Sequence, residues 1–173
     1  MSVPVRQTAP DSLIWGVPAA VLVHNVEEAL TIARYAPSAL SLLPDATRRS
    51  MPSLEYTYVY VALLVATAIP IGLALLARRR ASGGWATYGL LLVAAVMLVN
   101  VVWHLAVALA VRGYTPGAVT AVMVNLPVMA LGLRWARRGA WLSKGALWVN
   151  IAIGVMLHGA GLLALLAFVS FSG

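Results

Sequence analysis

Five long apolar stretches, separated by prolines, glycines and arginines, make up most of the chain. The first runs from Leu13 to Ala33, close to the ~20 residues that carry a helix across a hydrocarbon core at about 1.5 Å per residue. The second covers Tyr56 to Ala77 and stops at Arg78-Arg79-Arg80; after a Ser82-Gly83-Gly84 turn the third covers Trp85 to Val111. The fourth opens at Thr115-Pro116, with Thr115 as N-cap and the proline at the first helical position, and covers 116–133. Arg134-Trp135-Ala136-Arg137-Arg138 and Lys144 separate it from the fifth, Ala146 to Phe171. The linker over 34–55 carries Pro37, Pro44 and Pro52 around Ala39-Leu40-Ser41-Leu42-Leu43, a mix that suits a short interfacial helix or a plain loop. No repeat of fixed period is visible and nothing reads as a strand. The pattern predicts an all-α, polytopic transmembrane bundle of five spans in a single domain.

Composition narrows the class. Of 173 residues, 62% are hydrophobic and 10% charged, against roughly 25% charged in a soluble domain. The net charge of +7 resides in short blocks beside the apolar runs, where it sets orientation and touches anionic lipid, so nucleic acid is not an expected partner. There is no cysteine, which excludes disulfides, thiolate metal sites and cysteine nucleophiles. The first dozen residues hold one arginine and no separate apolar segment, so the first run reads as a retained span. The basic blocks after the second and fourth spans predict a cytoplasmic N-terminus. Arg48-Arg49 in the first linker argues the other way, beside Asp45 and Glu55.

Against this apolar background, His24-Asn25-Val26-Glu27-Glu28 stands out inside the first span. An ionised side chain near the middle of a span costs roughly 2.5–3.5 kcal/mol on insertion scales, so two glutamates and a histidine within one turn call for a partner, a proton, a cation or a wet cavity. His24, Glu27 and Glu28 sit at i, i+3 and i+4 and share a helical face. Asn100 and His104, again i and i+4, fall at a similar depth on the third span, Asn125 on the fourth beside Pro127, and His158 mid-way along the fifth between glycines. This agreement in depth predicts a shared pocket in the outer half of the bilayer. Plainer readings stand beside it: a polar network that only fixes helix packing, interhelical hydrogen bonds from Asn100, His104 and Asn125, a close helix contact at His158, and interface anchoring by Tyr56, Tyr58, Tyr60 and Trp85.

The residue types suggest metal chemistry. A His and a Glu at i and i+4 can ligate one ion, and a further His from a facing helix completes three protein ligands with one position open for water. His24, Glu28 and His104 form the most economical set for a divalent metal, zinc or iron. His158 is a substitute or fourth ligand, and Glu27 is the expected general base toward the water. In a metal-free version one Glu acts as base and Asn100 with His104 stabilises a developing negative charge. The Glu-Glu-x-x-x-Arg pattern of intramembrane proteases is absent, since Ile32 stands where the arginine belongs. Haem ranks last, because the acid pair is an awkward neighbour for an axial histidine. A di-iron centre needs more carboxylates than one helix supplies, and hence a homo-oligomer.

His24-Asn25-Val26-Glu27-Glu28, followed in order by Asn100-Val101-Val102-Trp103-His104, Tyr114-Thr115-Pro116-Gly117-Ala118-Val119-Thr120 and Asn125-Leu126-Pro127, resembles the HXXEE family of small bacterial and archaeal membrane proteins. The resemblance implies a protein of the bacterial inner (plasma) membrane, with His24, Glu27, Glu28, Asn100 and His104 as the positions of interest. It supplies no substrate, cofactor or reaction. The expectation is a membrane-embedded, metal-dependent, hydrolase-like enzyme with Glu27 and Asn100 as catalytic residues, acting among membrane lipids on a lipophilic or membrane-delivered small molecule. The alternative is a proton- or cation-coupled transporter or ligand-binding membrane protein using the same cluster, against which the lack of a visible inverted repeat counts.

Overall fold

A computed structural model describes residues 9–42, 45, 56–79, 84–139 and 141–171, with the backbone alone for Ala39 and for residues 160–171. The described residues form five helices and no strand: α1, Asp11–Leu40; α2, Tyr56–Arg79; α3, Trp85–Val111; α4, Ala118–Arg138; and α5, Lys144–Phe171. Among these residues, α2, α3 and α4 are long and apolar enough to cross a membrane, and the chain is a membrane protein. The polar motif interrupts the apolar run of α1, which at 30 residues is about 45 Å long.

Helix boundaries differ from the sequence expectation at the end of α1 and at both ends of α4, which runs through the arginine block to Arg138 instead of stopping at Leu133. α1 does not stop near Ala33 but continues through Pro37 to Leu40. Its last turns are held by packing, with Ile32 and Ala36 buried against Val59 of α2 and flanked by Tyr56 and Leu63. The part of the linker expected as an interfacial helix therefore begins as α1, and residues 43–44 and 46–55 lie outside the described residues. α4 begins not at Pro116 but at Ala118. Thr115-Pro116-Gly117-Ala118 is a tight turn closed by Ala118 N–H donating to the Thr115 carbonyl at 3.1 Å. Gly117, at φ 77° and ψ −5°, takes the position of a type II turn that demands positive φ.

α3 is the central helix, packed against α1, α2, α4 and α5. The apolar core joins Leu13, Val17 and Val21 of α1, Ala74 and Ala77 of α2, Leu90, Leu91, Ala94 and Ala95 of α3, and Met129, Leu133 and Ala136 of α4. It therefore occupies the end where α1 and α3 begin and α2 and α4 finish. Many of its members are alanines, which let helix backbones approach closely where no water drives them together. α5 comes close to α3 at Gly154, where a Cβ would lie 3.2 Å from the Val96 Cα. Large apolar side chains such as Leu30, Leu64, Leu109 and Met156 point outward, as they must where the surrounding solvent is hydrocarbon. The other end of the bundle holds the polar positions.

Candidate metal centre

α1, α3 and the start of α4 meet at that second end. The His24 side chain is 1% exposed and His104 is buried as well. The two imidazoles meet edge-on, with ring centroids 5.0 Å apart and planes at 76°. Glu28, one turn beyond His24, brings its Oε2 to 3.6 Å from His24 Nε2. One ligand atom from each of His24, Glu28 and His104 lies within 4.8 Å of the other two. Two ligands held tetrahedrally at about 2.0–2.1 Å from an ion are roughly 3.3 Å apart, so modest side-chain adjustment closes these three around one ion. Nε2 of both histidines is buried with no hydrogen-bond partner, which an apolar interior normally forbids.

The His24 ring is oriented from behind. Its Nδ1 lies 3.2 Å from Thr120 Oγ1, and the Thr120 hydroxyl donates to the Gly117 carbonyl at 3.3 Å. A hydroxyl whose hydrogen goes to Gly117 keeps an oxygen lone pair that suits the tautomer with a hydrogen on His24 Nδ1. That tautomer leaves the Nε2 lone pair facing Glu28 and His104, the supporting arrangement found behind metal-ligating histidines. Gly117 makes room for it: a Cβ there would lie 2.7 Å from His24 Cε1 and 3.3 Å from His104 Cε1.

Glu27 goes elsewhere. Its Oε1 accepts from the Tyr114 hydroxyl at 2.5 Å and from Val119 N–H at 3.2 Å, and its Oε2 accepts from Thr120 N–H at 2.6 Å. The carboxylate thus caps the start of α4 from another helix, where free N–H groups and the helix dipole favour negative charge. Thr115, expected as the N-cap, instead directs its hydroxyl to the His104 carbonyl at 3.4 Å. Tyr114 packs edge-on against Tyr35, centroids 4.6 Å apart. Burial, and the Glu27 carboxylate to which it donates, push the Tyr114 phenol above its usual range, so it remains a donor at neutral pH.

The remaining candidates divide. Asn100, one turn before His104, has a buried, unpartnered Oδ1, and Asn125 is fully buried with both amide atoms unpartnered. His158 is not part of the three-residue cluster; its ring stands 6.0 Å from Trp103 across the α3–α5 contact. Asn25, inside the motif, turns away to α2 and donates to Thr67 Oγ1 at 2.7 Å and to the Leu63 carbonyl at 3.1 Å. A groove between α1 and α4, lined by Leu13, Gly16, Val128 and Trp135 among others, opens at the opposite, apolar end. Spacing and depth give Tyr114, Gly117 and Thr120 no place in the site; their signal in the sequence is the string Tyr114 to Thr120 that carries the family resemblance.

A family model described as "Protein of unknown function with HXXEE motif" matches residues 15–132. The chain belongs to the HXXEE family. The matched stretch holds His24, Glu27, Glu28, His104, Gly117 and Thr120, and ends before α5 and His158. No curated protein and no solved structure matches this HXXEE chain.

Proposed function

We propose that this HXXEE protein is a metal-dependent, hydrolase-like membrane enzyme that binds one divalent ion through His24, Glu28 and His104 and acts on a lipophilic, membrane-delivered substrate. The observation that carries the reading is the pair of buried, unpartnered imidazole nitrogens converging with a carboxylate. Two histidines and one glutamate suit zinc with an open fourth position, and also iron(II). A bound zinc ion polarises a carbonyl oxygen and brings the pKa of a water near neutrality. His24 and His104 supply neutral nitrogen donors, and Thr120 holds His24 in the required tautomer. Glu27, with three donors on its carboxylate, is a positioning residue: it fixes the turn that carries Gly117 and Thr120. In this reading the three hydrogen bonds it accepts turn it away from the role of general base expected from the sequence. His158 is left outside the ligand set.

Orientation follows from charge. Arg78 and Arg79 end α2 and Arg137 and Arg138 end α4, all at the apolar-core end. By the positive-inside rule we read that end as cytoplasmic, with the N-terminus inside and the His/Glu centre in the outer half of the bacterial inner membrane.

Metal analysis of protein purified in mild detergent, without added metal, tests the reading. The wild type should carry one ion per chain, lost in His24→Ala, His104→Ala and Glu28→Gln and kept in His158→Ala and Glu27→Gln. Glu27→Gln should instead melt at lower temperature, because hydrogen bonds to a charged acceptor contribute roughly 1.5–3 kcal/mol. Wild-type protein with no more metal than His24→Ala would overturn the proposal.

A further inference from the structure

Six buried side-chain polar atoms among the described residues have no hydrogen-bond partner: His24 Nε2, His104 Nε2, Asn100 Oδ1, both amide atoms of Asn125, and Trp141 Nε1. Trp141 belongs to the apolar end. The other five reside on α1, α3 and the turn over Ala121–Asn125, three segments packed against one another. The metal proposal accounts for the two imidazoles and leaves the asparagines unexplained.

Their placement is specific. Asn100 precedes His104 by one turn on the same face of α3, and Asn125 follows Thr120 by five residues along α4. Both therefore lie on the core side of the imidazoles, between them and the apolar packing of Met97 and Met129. Local backbone geometry sets Asn125 apart as well. Pro127 has no N–H for the Met123 carbonyl and its ring crowds that position. The helix widens to i→i+5 bonding over Ala121–Asn125, with Leu126 N–H donating to the Ala121 carbonyl. Such single π-turns concentrate at functional sites.

We infer that Asn100 and Asn125 form a polar subsite beside the His24–Glu28–His104 cluster that binds the carboxamide group of a lipophilic amide. Asn125 offers a donor and an acceptor together, and a –CO–NH– group answers both at once. An ester answers only the donor and leaves Asn125 Oδ1 unpaired. Asn100 Oδ1 adds a second acceptor for an amide N–H. The subsite takes its place in catalysis from the metal-enzyme reading, but its occupancy is measurable without turnover.

The probe is dodecanamide, with methyl dodecanoate as the ester control, added to detergent-purified protein whose thermal unfolding and metal content are followed together. Dodecanamide should raise the melting temperature of the wild type more than the ester does. In Asn125→Leu, which keeps approximate size and removes both unpaired atoms, the unliganded protein should melt no lower than wild type. Amide affinity should fall on the order of tenfold or more. Asn125→Ala repeats the test should leucine fail to pack. Equal stabilisation by amide and ester in the wild type, or an amide response unchanged in the Asn125 variants, overturns the subsite. An amide response that tracks Asn125 in protein without metal supports the subsite and defeats the metal proposal. Metal that tracks His24 and Glu28 without any amide preference does the reverse.

Discussion

Gly117 shows how much one residue decides here. It must supply positive φ for the turn into α4, and its missing side chain is the space in which His24 and His104 meet. An alanine there pays roughly 1–2 kcal/mol for the left-handed conformation and also displaces the His24 ring from a 2.7 Å contact. Gly117→Ala should therefore lower the melting temperature and weaken metal binding together, by about tenfold or more in affinity. Thermal unfolding and metal titration of the same preparation check this, and wild-type metal affinity in a folded variant would show that the turn does not set the imidazoles. The two adjacent glutamates make a related point. Successive residues are about 100° apart around a helix, so Glu27 and Glu28 fall on either side of His24. One reaches toward α3 and the other toward the start of α4.

At the scale of elements, the motif ties α1 to three neighbours. Glu28 and His24 face His104 on α3, Glu27 caps α4, and Asn25 reaches α2 through Thr67 and the Leu63 carbonyl. Asn25 and Thr67 are both buried, and hydrogen bonds between membrane helices contribute from a few tenths to about 2 kcal/mol. Asn25→Ala should destabilise the bundle by about 1–2 kcal/mol, since both bonds from α1 to α2 are lost although the Thr67 hydroxyl still donates to the Leu63 carbonyl, and metal content should not change. Unfolding in increasing denaturant, with metal analysis before unfolding, separates the two effects. Loss of metal without loss of stability would assign Asn25 to the centre rather than to the α1–α2 joint. The extension of α1 to Leu40 is likewise a matter of neighbours: Val59, Tyr56 and Leu63 hold the turns around Pro37 that local propensity alone would end.

Over the whole molecule, the apolar core and the polar cluster occupy opposite ends of one bundle, with the arginines at the core end. The absence of cysteine makes orientation directly measurable. A cysteine at exposed Arg112, beside the polar end, should react with a membrane-impermeant maleimide applied to intact cells or spheroplasts. A cysteine at Arg138 should react only after the membrane is opened. The opposite pattern would invert the topology and place the His/Glu centre toward the cytoplasm.

The sequence by itself determined the class, the five helices and the depth at which the polar residues gather, because apolar run length and the 3.6-residue period are local properties of the chain. It also put His24 and Glu28 on one face of α1 by their i, i+4 spacing and His104 at a matching depth on α3, which made the three a candidate set. Tertiary structure decided what each polar group faces. Whether a side chain at a given depth reaches the centre depends on how each helix is rotated about its axis, which spacing does not specify. Hence Glu27 became the cap of α4, Asn25 the link to α2, and His158 a neighbour of Trp103. The turn at Thr115 to Ala118 was decided at the same level: Thr115-Pro116 satisfies the local rule for a helix start. The Glu27 carboxylate and the space needed by two imidazoles instead move that start to Ala118, after a glycine.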